Sequence, residues 1–106
     1  MEIIVTGRHF EVDDALKNYV DGKINSIISE YHKITSVRVI LAQEKTRAKA
    51  EIIIHGKHIN YEADSESFDM YRSIDETVTK IDKQLSKHFD KIQDHHKIYK
   101  VEKLQE

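Results

Sequence analysis

Residues 69–91 read DMYRSIDETVTKIDKQLSKHFDK, and no other stretch limits the possible folds so strongly. At about 100° per residue, Tyr71, Ile74, Val78, Ile81, Leu85, Phe89 and Ile92 centre on one side of a helix. Lys80, Lys83, Lys87 and Lys91 fall within an arc of roughly 80° on nearly the opposite side. Such a helix must press its apolar side onto a second layer, and it then carries a row of ammonium groups outward. In a chain of formal net charge −2 that row requires an explanation.

The layer it packs on is predicted to be a sheet. Glu2 to Thr6 is a short β-rich run, followed by a turn over Gly7 to Phe10. Asp13 and Asp14 then precede Leu16, Tyr19, Val20, Ile24, Ile27, Ile28 and Tyr31 at helical spacing, which predicts a helix over about 13–32. An aspartate there can accept from free first-turn amides. Ile34 to Glu44 alternates as a strand, with Val37, Val39 and Leu41 on one side, and Lys45-Thr46-Arg47 forms a polar turn. Ala50, Ile52 and Ile54 share the next inward face. His55-Gly56-Lys57-His58 makes a tight connection in which glycine would supply a positive φ. Ile59, Tyr61 and Ala63 continue the alternation, and the last helix is predicted to start near Ser67 as its N-cap and to run past Lys91. The order is β-α-β-β-β-α. Four strands with both helices on one face make an α+β architecture. Its other face would be partly wet and would show Ile4, Ile40 and Ile53.

With 106 residues the chain is read as a single domain over 1–97, with a frayed tail over 98–106 that spaces Ile98, Val101 and Leu104. The absence of cysteine excludes disulfides and thiolate metal sites. No apolar run is long enough to span a bilayer, and no secretory leader is visible, so the expected location is cytoplasmic. Among the seven histidines, His55 with His58 and His95 with His96 lack the spacing of a metal motif, and no metal or other cofactor is expected. Three glycines leave little for a phosphate-cradling loop, and no activated nucleophile or paired carboxylate is evident. The chain is read as non-enzymatic, with no small-molecule substrate. Phe68, Tyr31, Tyr61 and Tyr71 fit core packing better than base stacking.

Charge is segregated along the sequence. Glu62 to Glu76 holds six acids against Arg72, whereas Lys80 to Lys100 holds six lysines against Asp82, Asp90 and Asp94, with His88 as a further potential cation. Lys80 to Lys91 spans about 16 Å, enough to meet several phosphates of one nucleic-acid strand. Gln84 could add a donor at its margin. Glu76, Asp90 and Asp94 would weaken its field. Arg8, Lys23, and the hairpin-tip residues Lys45 and Arg47 are further cations that could join it. A solvated helix face is the competing explanation, and an interaction module dimerising through the wet sheet face, anchored by Ile40 and Ile53, is another.

A family resemblance sharpens this. Asp69-Met70-Tyr71, Ile74-Asp75, Lys80, Gln84-Leu85 and Lys87 resemble the signature of the ribosome hibernation-promoting factor and ribosome-associated inhibitor family. Thr6-Gly7, Ala15-Leu16, Tyr19-Val20, Lys23 and Glu44-Lys45 are similar to other parts of it, and the likeness covers about residues 1–95. The resemblance implies the same β-α-β-β-β-α fold, similar to double-stranded-RNA-binding domains. It implies binding to ribosomal RNA of the small ribosomal subunit, in the channel of messenger and transfer RNA, within 70S and paired ribosomes. Lys80, Lys83 and Lys87 match the family's RNA-facing positions, as do Lys91 and Lys23. Ser26 and Phe89 depart from it where lysine is common. A chain stopping at Glu106 matches a short form without the family's C-terminal dimerisation domain.

Overall fold

A computed structural model describes residues 2–94, with only the backbone for 90–94. The predicted tail over 98–106 lies outside the described residues, as does the side chain of Lys91. The elements are β1 (Glu2–Arg8), α1 (Asp14–Glu30), β2 (Ile34–Glu44), β3 (Arg47–Gly56), β4 (Ile59–Ser67) and α2 (Met70–Asp94). The sheet order is β1-β2-β3-β4, with β1 parallel to β2 and the other neighbours antiparallel. A parallel pair needs a crossover, and α1 supplies it. The α+β reading and its element order hold.

The alternation seen in the sequence assigns the faces. Val37, Val39 and Leu41 of β2 and Ala48, Ala50, Ile52 and Ile54 of β3 point inward and are buried. Leu16, Val20, Ile24 and Ile27 of α1 and Ile74, Ile81 and Leu85 of α2 cover them. On the outer face, the register sets Ile4, Arg38, Ile53 and Glu62 in one cross-strand row and Thr6, Ile40, Glu51 and Asp64 in the next. Within each row the isoleucines are therefore flanked by charged or polar neighbours.

Ala48 and Ala50 have a specific role. They are small enough to let the start of α2 approach β3, and two helix hydroxyls reach the strand's carbonyls there. Ser73 Oγ donates to the Ala48 carbonyl at 2.7 Å, and Thr77 Oγ1 lies 3.1 Å from the Ala50 carbonyl. Ser67 Oγ is 2.7 Å from Ser73 Oγ and accepts from the Asp69 amide at 3.2 Å. Ser67 Oγ also lies 2.8 Å from the Asp69 carbonyl, so its one proton is shared between that oxygen and Ser73. Ser73 and Thr77 are fully buried, so these bonds are formed without competing water.

Several boundaries differ from expectation. Ser67 ends β4 and does not cap α2; Asp69 does, with Oδ1 accepting from the Tyr71 amide at 3.3 Å. Asp13 caps α1, accepting from the Leu16 amide at 2.8 Å, and the helix ends at Glu30. Gly7 and Arg8 belong to β1, so the bend begins at His9. In the β3–β4 turn it is His58, at φ 62°, that takes the left-handed conformation. Gly56 is needed for another reason: a Cβ there would lie 2.0 Å from the Lys33 carbonyl oxygen. Phe68, expected in the core, is 72% exposed, because the chain turns outward between β4 and the Asp69 cap.

Two substitutions test this packing. Ser73→Ala removes the buried bond to the Ala48 carbonyl and should lower stability by about 1–3 kcal/mol in urea denaturation. Gly22→Ala meets nothing within 4 Å on α1 and should raise stability by roughly 0.5–1 kcal/mol in the same assay.

Candidate nucleic-acid interface

Tertiary packing divides the lysine row in two. Along α2, the ridge Glu76, Lys80, Gln84 and His88 has i, i+4 spacing and lies against β4, which runs the opposite way. Glu76 accepts from Ser65 Oγ at 2.6 Å, Lys80 Nζ donates to the Asp64 carbonyl at 2.6 Å, and Gln84 Nε2 donates to the Glu62 carbonyl at 3.3 Å. His88 Nδ1 sits 2.9 Å from the Tyr61 hydroxyl. Gln84 and His88 are half-buried, and Lys80 is drawn back toward the sheet edge. Lys83 and Lys87 remain on the outward ridge, exposed, with no carboxylate at ion-pair distance among the described side chains.

Lys83 faces α1. A groove of about 330 Å³ lies between the helices, with Lys23, Ser26 and Glu30 on the α1 side and Val78, Thr79, Asp82 and Lys83 on the α2 side. Ser26 lies in this groove beside Lys23. A tyrosine–aspartate bond joins the helices toward each end. Tyr19 donates to Asp75 Oδ1 at 2.5 Å, and Tyr31 donates to Asp82 Oδ1 at 3.0 Å. The Tyr19 ring meets Tyr71 edge-on at 4.9 Å, and Tyr31 stacks on Phe89 at 5.3 Å. The apolar placement of Phe89 is therefore an inter-helix contact.

These bonds also arrange charge. Asp75 is shared between the Tyr19 hydroxyl and Lys23, whose Nζ is 3.5 Å away and 5.4 Å from the Tyr19 ring centroid. Asp82, next in sequence to Lys83, is engaged by Tyr31. Glu76, which the sequence sets one turn ahead of the lysine row, turns to Ser65 and Arg72; the Ser65 hydroxyl first and then the guanidinium hold its carboxyl below the usual range. Asp75, Glu76 and Asp82 thus have partners within the fold, whereas the side chains of Asp90 and Asp94 lie outside the described residues.

The remaining predicted cations lie elsewhere. Arg8 pairs in register with Ala42, Lys45 lies in the β2–β3 turn and Arg47, expected in that turn, begins β3 opposite Glu44, all at the end where α2 begins. Arg47 Nε is tied to Glu66 at 3.0 Å, and Lys45 takes φ 54° at the tip. From Ser73, which touches this end, Lys83 and Lys87 are about 15 and 21 Å further along the helix. The structure brings Lys23, Lys83 and Lys87 toward one surface and places Arg8, Lys45 and Arg47 at another. Sequence reasoning missed the tyrosine–aspartate bonds, since Tyr19 and Tyr31 read only as apolar positions. Among the described residues no helix is long and apolar enough to cross a membrane, and no three of His, Asp and Glu converge as a metal set.

This small α+β fold is shared with proteins of the ribosomal subunit interface. A ribosomal subunit interface protein from Coxiella burnetii superposes with a TM-score of 0.79 at 26% identity, over 85% of this chain and 99% of that one. The N-terminal domain of Thermus thermophilus Protein Y gives a TM-score of 0.76 at 27% identity, over 83% and 99%. The family model described as Sigma 54 modulation protein / S30EA ribosomal protein matches residues 3–93, and the chain belongs to that family. Its relatives include the ribosome hibernation promoting factor of Azotobacter vinelandii, 38% identical over 86% of this chain and 85% of the relative. The factor of the same name from Escherichia coli K12 is 32% identical over 90% of this chain and the full length of the relative. The family is non-enzymatic.

The tyrosine–aspartate bonds have a measurable signature. Tyr19 is pushed up to about 12, first by its hydrogen bond to Asp75 and then by burial and carboxylate charge. Tyr31 is also pushed up to about 12, by burial first and then by the bond to Asp82. A phenol with a raised folded pKa contributes stability below its ordinary value of 10.0, and that contribution is lost as pH climbs toward 12. Near-UV phenolate absorbance should show two late-titrating tyrosines, with Tyr19→Phe and Tyr31→Phe each removing one.

Proposed function

We propose that residues 1–97 form one ribosome-binding domain that acts in the cytoplasm as a hibernation factor, with the small ribosomal subunit as its partner. In this reading the domain occupies the messenger- and transfer-RNA channel, contacts ribosomal RNA of the decoding region and holds the particle idle under stress or in stationary phase. The observation that carries it is the inter-helix surface on which Lys23 and Lys83 face one groove and Lys87 continues the ridge. Family membership and the names of the relatives supply the ribosome as the partner. The physics supplies the mode of contact. Cations on rigid helices meet sugar-phosphate without reading bases, so binding comes from charge and shape. Lys91 extends the same helix direction. Arg8, Lys45 and Arg47 form a second, more distant contact, while Lys80, Gln84 and His88 act mainly by seating α2 on β4.

The test is co-sedimentation with small ribosomal subunits. Lys83→Glu with Lys87→Glu should abolish pelleting while leaving the circular dichroism spectrum unchanged, whereas Lys80→Glu should lower stability as well. Unimpaired pelleting of the double variant rules out this surface. With about three phosphates neutralised, raising salt from 50 to 200 mM should weaken binding roughly 15- to 40-fold.

A further inference from the structure

The two edges of the sheet are treated differently. At the β4 edge, the Glu62 and Asp64 carbonyls are occupied by Gln84 and Lys80 of α2, so that edge is covered. At the β1 edge, no described strand pairs on the far side. Of the usual devices against pairing, β1 has only the charges Glu2 and Arg8 at its ends. β1 keeps an unbroken seven-residue register with no bulge, and contains neither lysine nor proline. Ile3 and Val5 are only half-buried, and Ile4 is 38% exposed.

We propose that β1 is a self-association edge, at which two copies pair antiparallel about Val5 and join two four-stranded sheets into one of eight strands. The strand reads EIIVTGR, and its charges are complementary under that two-fold. Glu2 falls opposite Arg8 of the second copy, and Arg8 opposite its Glu2. Both side chains are exposed on the outer face, and neither has an ion-pair partner among the described residues. Ile4 falls opposite Thr6, and Ile3 opposite Gly7. The space over Gly7 is filled by the Phe10 carbonyl oxygen and by Val12, 2.7 Å and 2.9 Å from where a Cβ would stand, so Ile3 of one copy faces a position on the other that carries no side chain. A parallel pairing would set Glu2 beside Glu2 and Arg8 beside Arg8, which like-charge repulsion disfavours. The two-fold stands perpendicular to the sheet. Both helix layers then lie on one side, and the lysine-bearing grooves of both copies stay open.

The experiment is sedimentation velocity of the full chain at low salt, from micromolar to millimolar concentration. A reversible dimer is expected. Glu2→Arg or Arg8→Glu alone should raise the dimer Kd at least about tenfold. The double swap Glu2→Arg with Arg8→Glu should restore it, and an equimolar mixture of the two single variants should form a heterodimer. Amides of β1 should gain hydrogen-exchange protection as wild-type concentration rises. A monomer throughout the range overturns the proposal. So does a dimer indifferent to both single swaps, because its contact must then lie elsewhere.

Discussion

Everything outward on this protein follows from how α2 is seated. One ridge of the helix is bonded to β4 through Glu76, Lys80, Gln84 and His88, while Ser73 and Thr77 are bonded to β3. These contacts run along about four turns of helix and set its rotation about its own axis. Sliding the helix sequence by one residue would turn every side chain by about 100° and bring Lys83 toward the sheet. Buried hydroxyl bonds resist such a slip because each carries the desolvation penalty of an unmade bond. The apolar contacts of Ile74, Ile81 and Leu85 provide most of the adhesion. The polar contacts provide its orientation.

The same seating reconciles an acidic chain with a basic surface. A net charge of −2 is an average over regions of unlike character, and separation within the fold is what gives a local field. Asp75, Asp82 and Glu76 are interleaved with the lysines in sequence, yet each is bonded to a tyrosine, serine or cation of the fold. The tyrosines serve twice, since their rings close the helix interface and their hydroxyls orient the carboxylates. Exposed charges separated by more than about 8 Å are largely screened at physiological ionic strength. Lys83 and Lys87 therefore act on whatever lies directly against them, which suits a groove more than long-range steering.

Covering β4 with α2 also leaves the opposite boundary of the sheet to its own chemistry. Lys80 was drawn from the outward row to satisfy an edge carbonyl, and Gln84 serves the next one. No helix performs that task at β1, where only the terminal charges Glu2 and Arg8 discriminate among neighbours. An interface made there would be polar at its ends and apolar between. It would differ in kind from one on the outer sheet face, where Arg38 and Glu51 interrupt the isoleucines.

Period-two and period-3.6 patterns are local properties of a chain, and by themselves they determined the element order, the inward faces and the single core. The Asp13 cap and the cost of Gly22 were legible for the same reason. Residue signatures spread over most of the chain likewise pointed to the family. What periodicity could not tell was which lysine on a broad polar face has a strand edge within reach. Lys80 and Lys83 share one arc of roughly 80° on the helical wheel, and only the position of β4 shows which of them is drawn to the sheet. Phe68 looked apolar enough to bury, and only the exit angle from β4 exposed it. Gly56 was expected to supply a positive φ that it does not take, and the Lys33 carbonyl that excludes a side chain there lies 23 residues away in sequence. Sequence by itself determined what each segment prefers; tertiary structure decided which polar groups meet, because hydrogen bonds and ion pairs depend on distances between segments that no local pattern encodes.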